Sequence, residues 1–150
     1  MSYITTGQLQ QRLGGPLYAR LTDRAHGESA DATVGAELAA AACAEADAHL
    51  AHRYATPVNL AEHPELGPLL VTRVLDLAEY GAWASSPFVS GIPARVRALR
   101  ERAIEWLSQV ARGELNLPAG SPPPGRTSAD DRPVVRASAP TLSRDELEGW

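Results

Sequence analysis

The sequence contains no lysine. Its 14 basic residues are all arginine and face 18 acidic ones, giving a formal net charge of −4 over 150 residues. Without lysine, Schiff-base chemistry and a phosphate-binding lysine of the Walker type are excluded. The lone cysteine, Cys43, excludes an internal disulfide and a cysteine-built zinc centre. Inside an alanine run it reads as a small buried hydrophobe. The chain also lacks a basic excess, which argues against a free-standing nucleic-acid binder. No stretch approaches the ~18 apolar residues of a membrane span. The longest, around Leu69–Leu77, is interrupted by Thr72, Arg73 and Asp76. The opening MSYITTGQLQQRL has neither the basic nor the apolar region of a secretory signal. The expectation is a protein of the reducing cytoplasm with no membrane partner, in one compact domain.

What is present is helical periodicity cut by punctuation, since 12 glycines and 12 prolines are too many for an uninterrupted bundle. Thr5 or Thr6 caps a first helix running to about Leu13, with Gln8 at the capping-box position, and Gly14-Gly15-Pro16 stops it. Leu17, Tyr18 and Leu21 follow as a short apolar cluster. After the polar loop Thr22–Asp31, Asp31 or Thr33 caps a second helix expected to reach Tyr54, about 33 Å at 1.5 Å per residue. Its apolar face is assigned to Val34, Leu38, Ala41, Ala42, Ala46 and Leu50. Pro57 ends it, with Thr56 extended before the proline. Pro64 or Pro68 opens a third helix, striped by Leu69, Leu70, Val74, Leu77, Ala78, Tyr80 and Trp83. Pro93 opens a fourth, with Val96, Leu99, Ala103, Trp106, Leu107 and Val110 inward and Gly113 as its stop. The fold class is therefore all-α, a small four-helix bundle over residues 1–117 with an extended C-terminal tail over 118–150.

The tail has two parts. Pro118–Arg132 is a Pro/Gly/Ser/Asp-rich linker unable to bury enough apolar surface to offset its ordering entropy. Beyond it come the β-prone pair Val134-Val135 and TLSRDELEGW, in which Thr141 or Ser143 caps a short helix carrying Leu142, Leu147 and Trp150. Apolar anchors on a polar tether read as a docking motif that folds on binding. Val134, Val135, Leu142, Arg144, Asp145, Leu147 and Trp150 are its candidate contact residues.

No catalytic constellation emerges. His49 and His52, with Glu45, resemble a metal face only loosely, and solvated histidines explain them better. Asp23, Arg24, His26, Gly27, Glu28 and Asp31 lack the spacing of a calcium loop and read as a plain turn. Ser85, Ser86 and Ser90 have no histidine at a recognisable spacing. Arg95, Arg97, Arg100, Arg102 and Arg112 concentrate charge on the fourth helix. Glu101, Glu105 and Glu114 partly neutralise them, and a solvated face is the simpler reading. Neither an enzyme nor a cofactor is expected.

The order of features nonetheless resembles a family. A Tyr-x-Thr start (Tyr3-Ile4-Thr5) leads to Leu21-Thr22-Asp23, then to an Ala/Asp-rich helix ending in Arg53-Tyr54-Ala55-Thr56-Pro57-Val58. Pro68-Leu69-Leu70 opens the next helix, Ala103-Ile104-Glu105-Trp106-Leu107 lies in the last, and Ser143–Trp150 closes the sequence. This pattern looks like the small neck proteins of phage Mu-type tailed phages and prophages, and more distantly like the helical head–tail connector (adaptor) family. The chain departs from the pattern in a less acidic loop after Asp23 and in Leu142, where the family carries an aromatic. The resemblance implies a ring, commonly of twelve copies, that forms under the portal protein after DNA packaging. Such a ring extends the DNA channel, lets DNA pass without sequence-specific contact and offers a surface to a tail-side neck or tail-completion protein. It further implies a place at the virion neck after assembly in the host cytoplasm. The tail would dock on the portal or a neighbouring subunit, and Arg95, Arg97, Arg100 and Arg102 would face a subunit boundary or the channel. The alternative is a monomeric helical interaction module whose tail binds an unrelated partner.

Overall fold

A computed structural model describes residues 2–61, 64 and 67–115, and the tail and the expected boundary at residue 117 lie outside them. The described residues form five helices and no strand: α1 (Thr6–Leu13), α2 (Gly15–Thr22), α3 (Ala32–Leu50), α4 (Gly67–Ser85) and α5 (Ala94–Arg112). The all-α class holds, and the helix number is corrected from four to five. The additional helix is the Leu17/Tyr18/Leu21 cluster. Gly14, at φ +79°, breaks the chain after one short helix, and Pro16 pre-sets the backbone for the next. Tyr18 and Leu21 then point into the core.

The caps explain where α1 and α3 start. The Thr5 hydroxyl accepts from Gln8 N at 3.2 Å, while Thr5 N donates to Gln8 Oε1 at 2.8 Å, which is the reciprocal capping box. Asp31 Oδ1 accepts from Thr33 N at 2.8 Å and Val34 N at 3.2 Å. The end of α3 comes earlier than expected: it stops at Leu50, and one further turn is held by Arg53 N and Tyr54 N donating to the Leu50 carbonyl. The Thr56–Pro57 bond is cis. α5 starts after Pro93 and ends at Gly113, in the left-handed conformation at φ +81°.

Helices α3, α4 and α5 pack mutually, and α1 and α2 lean on α3 and α4. The core joins Leu9 of α1, Tyr18 of α2, Ala39, Ala42, Cys43, Ala46 and Leu50 of α3, Leu70, Val74 and Leu77 of α4, and Ala103, Leu107 and Val110 of α5. Cys43 is buried. Two assigned positions move. Ala41 is exposed while Ala39 and Cys43 are buried, and Leu69 is 41% exposed while Leu70 is fully buried. An alanine-rich helix has little contrast between its sides, so its buried face is set by the neighbours it meets rather than by its own sequence.

Small residues allow the closest approach. A Cβ at Gly35 would sit 1.8 Å from the Tyr18 hydroxyl, so α2 rests on α3 at a point only glycine leaves open. Tyr3 ties the N-terminal segment down: its hydroxyl donates to Asp47 and accepts from Val58 N at 2.8 Å. Burial and the bond to Asp47 raise its pKa, so the phenol stays protonated well past its ordinary range.

Candidate functional site

The polar centre of the fold is an ion-pair network that no local pattern announces. Asp76 and Glu79, three apart on α4, are each 1% exposed. They face α1 and α5 rather than water. Arg12, at the end of α1, reaches both, with Nη2 on Asp76 and Nε on Glu79 Oε2 at 2.7 Å. Arg73 Nη1 approaches Asp76 Oδ2 at 3.4 Å, and Arg95 Nη2 of α5 meets Glu79 Oε1 at 2.5 Å. Three guanidinium groups thus enclose two buried carboxylates and join α1, α4 and α5, although α1 and α5 do not otherwise pack together. Burying two carboxylates this deeply is tolerable only because both oxygens of each are paired.

That network changes the meaning of the arginine row on α5. Arg95 is spent on Glu79, although its side chain is 68% exposed. Arg100 Nη2 pairs with Glu45 Oε1 of α3 at 3.0 Å, and its guanidinium lies 4.6 Å from the centre of the Tyr80 ring. Arg97 and Arg102 are exposed and have no ion-pair partner among the described residues. Arg112 pairs with Glu105 and Glu114. Two of the four candidate arginines therefore lock helices together, and two remain available at the surface. Their pairing partners, Glu79 and Glu45, are distant in sequence, which is why spacing alone could not sort them.

Two surface depressions flank this arrangement. One, of about 540 Å³, runs between α4 and α5 and is lined by Arg73, Ala98, Arg102, Glu105 and Trp106, among others. Arg73 also carries a buried Nε without a hydrogen-bond partner. The other, of about 380 Å³, lies where the Ser86–Pro93 loop meets α2, between Leu17, Arg20, Trp83 and Phe88. Arg20 Nη2 donates to the Phe88 carbonyl and Ser86 Oγ to the Arg20 carbonyl, both at 3.2 Å, which fixes that loop.

The remaining candidates are structural. Asp23 closes the Thr22–Asp31 loop on itself: Oδ1 accepts from Ala25 N and His26 N, and Oδ2 from Glu28 N, Ser29 N and Ser29 Oγ. These backbone donors hold its pKa far below the ordinary carboxylate range. Both oxygens are filled by N–H and O–H donors, so the acidic loop is a turn and not an ion cage. His49 lies in the last turn of α3 and His52 beyond the helix end, so the helix expected to carry both stops between them. Among the described residues no group of three or more His, Cys, Asp or Glu side chains is placed to hold a metal, and no helix is long and apolar enough to cross a membrane. Val134, Val135, Leu142, Arg144, Asp145, Leu147 and Trp150 lie outside the described residues.

The residues that carry the family pattern turn out to be determinants of the fold. Leu21, Thr22 and Asp23 are all buried, and Thr22 Oγ1 donates to the Tyr18 carbonyl and accepts from Asp31 N. Tyr54 and Val58 are buried, Val58 N donates to the Tyr3 hydroxyl, and Arg53 lies against Gly113 at the end of α5. A family model described as "Bacteriophage Mu, Gp36" matches residues 3–135. No curated protein matches the chain.

Proposed function

We propose, from the premise that the chain belongs to the bacteriophage Mu Gp36 family, that this phage protein is a structural component of the virion neck. In this reading, copies assemble as a ring beneath the portal protein, continue the DNA channel and present a surface to a tail-side neck or tail-completion protein. The observation that carries it is the family match over residues 3–135, whose pattern residues build the bundle rather than a reaction centre. The fold suits the role. A bundle cross-linked by buried ion pairs would hold its shape as one of several identical ring subunits. The charge balance suits it as well. An overall acidic chain with three of its five α5 arginines paired to carboxylates would let the phosphate backbone slide, where a strongly basic lining would hold it. Residues 133–150 act as the docking tail, with Leu142, Leu147 and Trp150 as apolar anchors.

The test is a truncation. Removing residues 133–150 leaves the helical content and melting transition unchanged but abolishes co-sedimentation with the cognate portal. Full portal binding by the truncated chain would sink the docking role of the tail. If the intact chain also fails to join the portal, the neck assignment itself falls.

A further inference from the structure

We infer that copies of this chain join head to tail, with Leu69 of one copy seated in the loop-side depression between α2 and α4 of the next. The inference rests on the ring reading above and deepens it by naming the contact between neighbouring copies. Among the described residues the exposed large apolar side chains are Leu69 and Leu115, at 41% and 40%. Both lie at one end of the α4–α5 pair. These helices run antiparallel, since Glu79 meets Arg95 while Arg73 lines a depression with Arg102 and Trp106. Leu69 stands in the first turn of α4, and Leu115 folds back past the end of α5 by donating its N–H to the Gln109 carbonyl.

The receptor lies at the other end of the pair. The depression of about 380 Å³ is lined by Leu17, Trp83, Phe88 and Val89, among others. Arg20 is its one charged lining residue, and its guanidinium already donates to the Phe88 carbonyl. Such a lining favours an uncharged aliphatic guest. The α4–α5 depression does not, because it mixes Arg73 and Arg102 with Glu101 and Glu105. The loop-side receptor is also preformed. Ser86 Oγ donates to the Arg20 carbonyl, and the Phe88 ring packs against Gly27, where an added Cβ would lie 3.2 Å from it. A loop already fixed has little freedom left to lose on binding. Leu69 and Trp83 are ~21 Å apart along α4 at 1.5 Å per residue, so Leu69 reaches only the depression of another copy. A contact between two different patches is heterologous, and it closes into a ring when its rotation permits. The ends of α4 match as well. Alone among the five helices, α4 has no basic residue in its last turn. Seating Leu69 beside Trp83 brings the positive first turn of one α4 to the negative last turn of the next.

The experiment uses the full-length chain, both free and mixed with the cognate portal. A chain carrying Leu69→Cys is mixed with one carrying Val89→Cys and treated with a short bis-maleimide. The native thiol, Cys43, is buried, and the wild-type chain serves as its control. The mixture should yield a 69–89 cross-linked dimer that neither variant yields alone. The double variant Leu69→Cys, Val89→Cys should yield a ladder of multimers. Leu69→Asp, at an exposed position, should weaken self-association at least ~tenfold, the loss of one buried leucine side chain, with circular dichroism unchanged. Comparable yields of 69–69, 89–89 and 69–89 products would overturn the inference, as would no 69–89 product in either setting. Electron microscopy of the portal mixture separates this failure from failure of the ring reading. A ring without the 69–89 product keeps the neck reading and removes this contact. A 69–89 ladder without a ring keeps the contact and removes the ring reading.

Discussion

At the scale of single residues, the buried charges are positions where removing one partner should be costly. Glu79 is paired by Arg12 and Arg95, and its removal leaves Arg12 beside an unfilled site. Breaking a buried pair from one side costs about 3–5 kcal/mol. Glu79→Ala should approach the lower end of that range in urea unfolding, because Arg12 keeps some contact with solvent. Arg95→Ala removes the mostly exposed partner and should cost about 1 kcal/mol or less. Equal losses from the two variants would contradict the network as described. Tyr3→Phe deletes the phenol that donates to Asp47 and accepts from Val58 N, and should cost about 1–3 kcal/mol.

The same scale sets the pH response. Asp23 has a depressed pKa in the folded chain, so its contribution is complete above the ordinary carboxylate value near 3.9 and is lost as pH falls through the lower folded value. The loop should therefore stay closed at pH 4. The amides of Ala25, His26, Glu28 and Ser29 should stay protected from exchange there and lose protection in Asp23→Asn, whose amide group meets donors with donors. Early loss of protection in the wild type, as pH falls from 5 to 4, would contradict the assignment. Tyr3 acts in the opposite direction. Its raised pKa means that its contribution is complete below pH 10 and declines as alkali ionises the phenol in the unfolded chain first.

Elements show what was legible in the sequence and why. The starts of α1 and α3 were legible because caps are local: Thr5, Gln8 and Asp31 act within four residues of themselves. Gly113 was legible for the same reason. The second short helix was not, since eight residues between Gly14 and Asp23 carry too few apolar positions to reveal a period. The over-long reading of α3 has a visible cause, for the turn at Arg53 and Tyr54 still hydrogen-bonds to Leu50. The Arg12–Asp76–Glu79–Arg95 network was opaque because it is made across 64 and 67 residues of sequence. Asp76 read as an interruption of an apolar run, when its burial between α1 and α4 is what fixes their register. The α2–α3 contact gives an element-scale prediction. Gly35→Ala forces the Tyr18 hydroxyl aside and should cost about 1–3 kcal/mol by overpacking. The double variant Gly35→Ala with Tyr18→Phe should recover part of that loss in thermal unfolding, and no recovery would place the strain elsewhere.

For the whole molecule, the notable property is that its described ion pairs tie helices together across the fold. Its strongest electrostatics lie inside, cross-linking α1, α4 and α5, and its family pattern is written in core and loop-closing residues. The proposed function has this family member complete the neck by adding a ring to the portal. The most direct measurement is electron microscopy of the assembled cognate portal with and without the full-length chain. The account predicts an added ring of density on the tail side of the portal, coaxial with an open channel. A bare portal at saturating concentrations of the chain, or density blocking the axis, would contradict it.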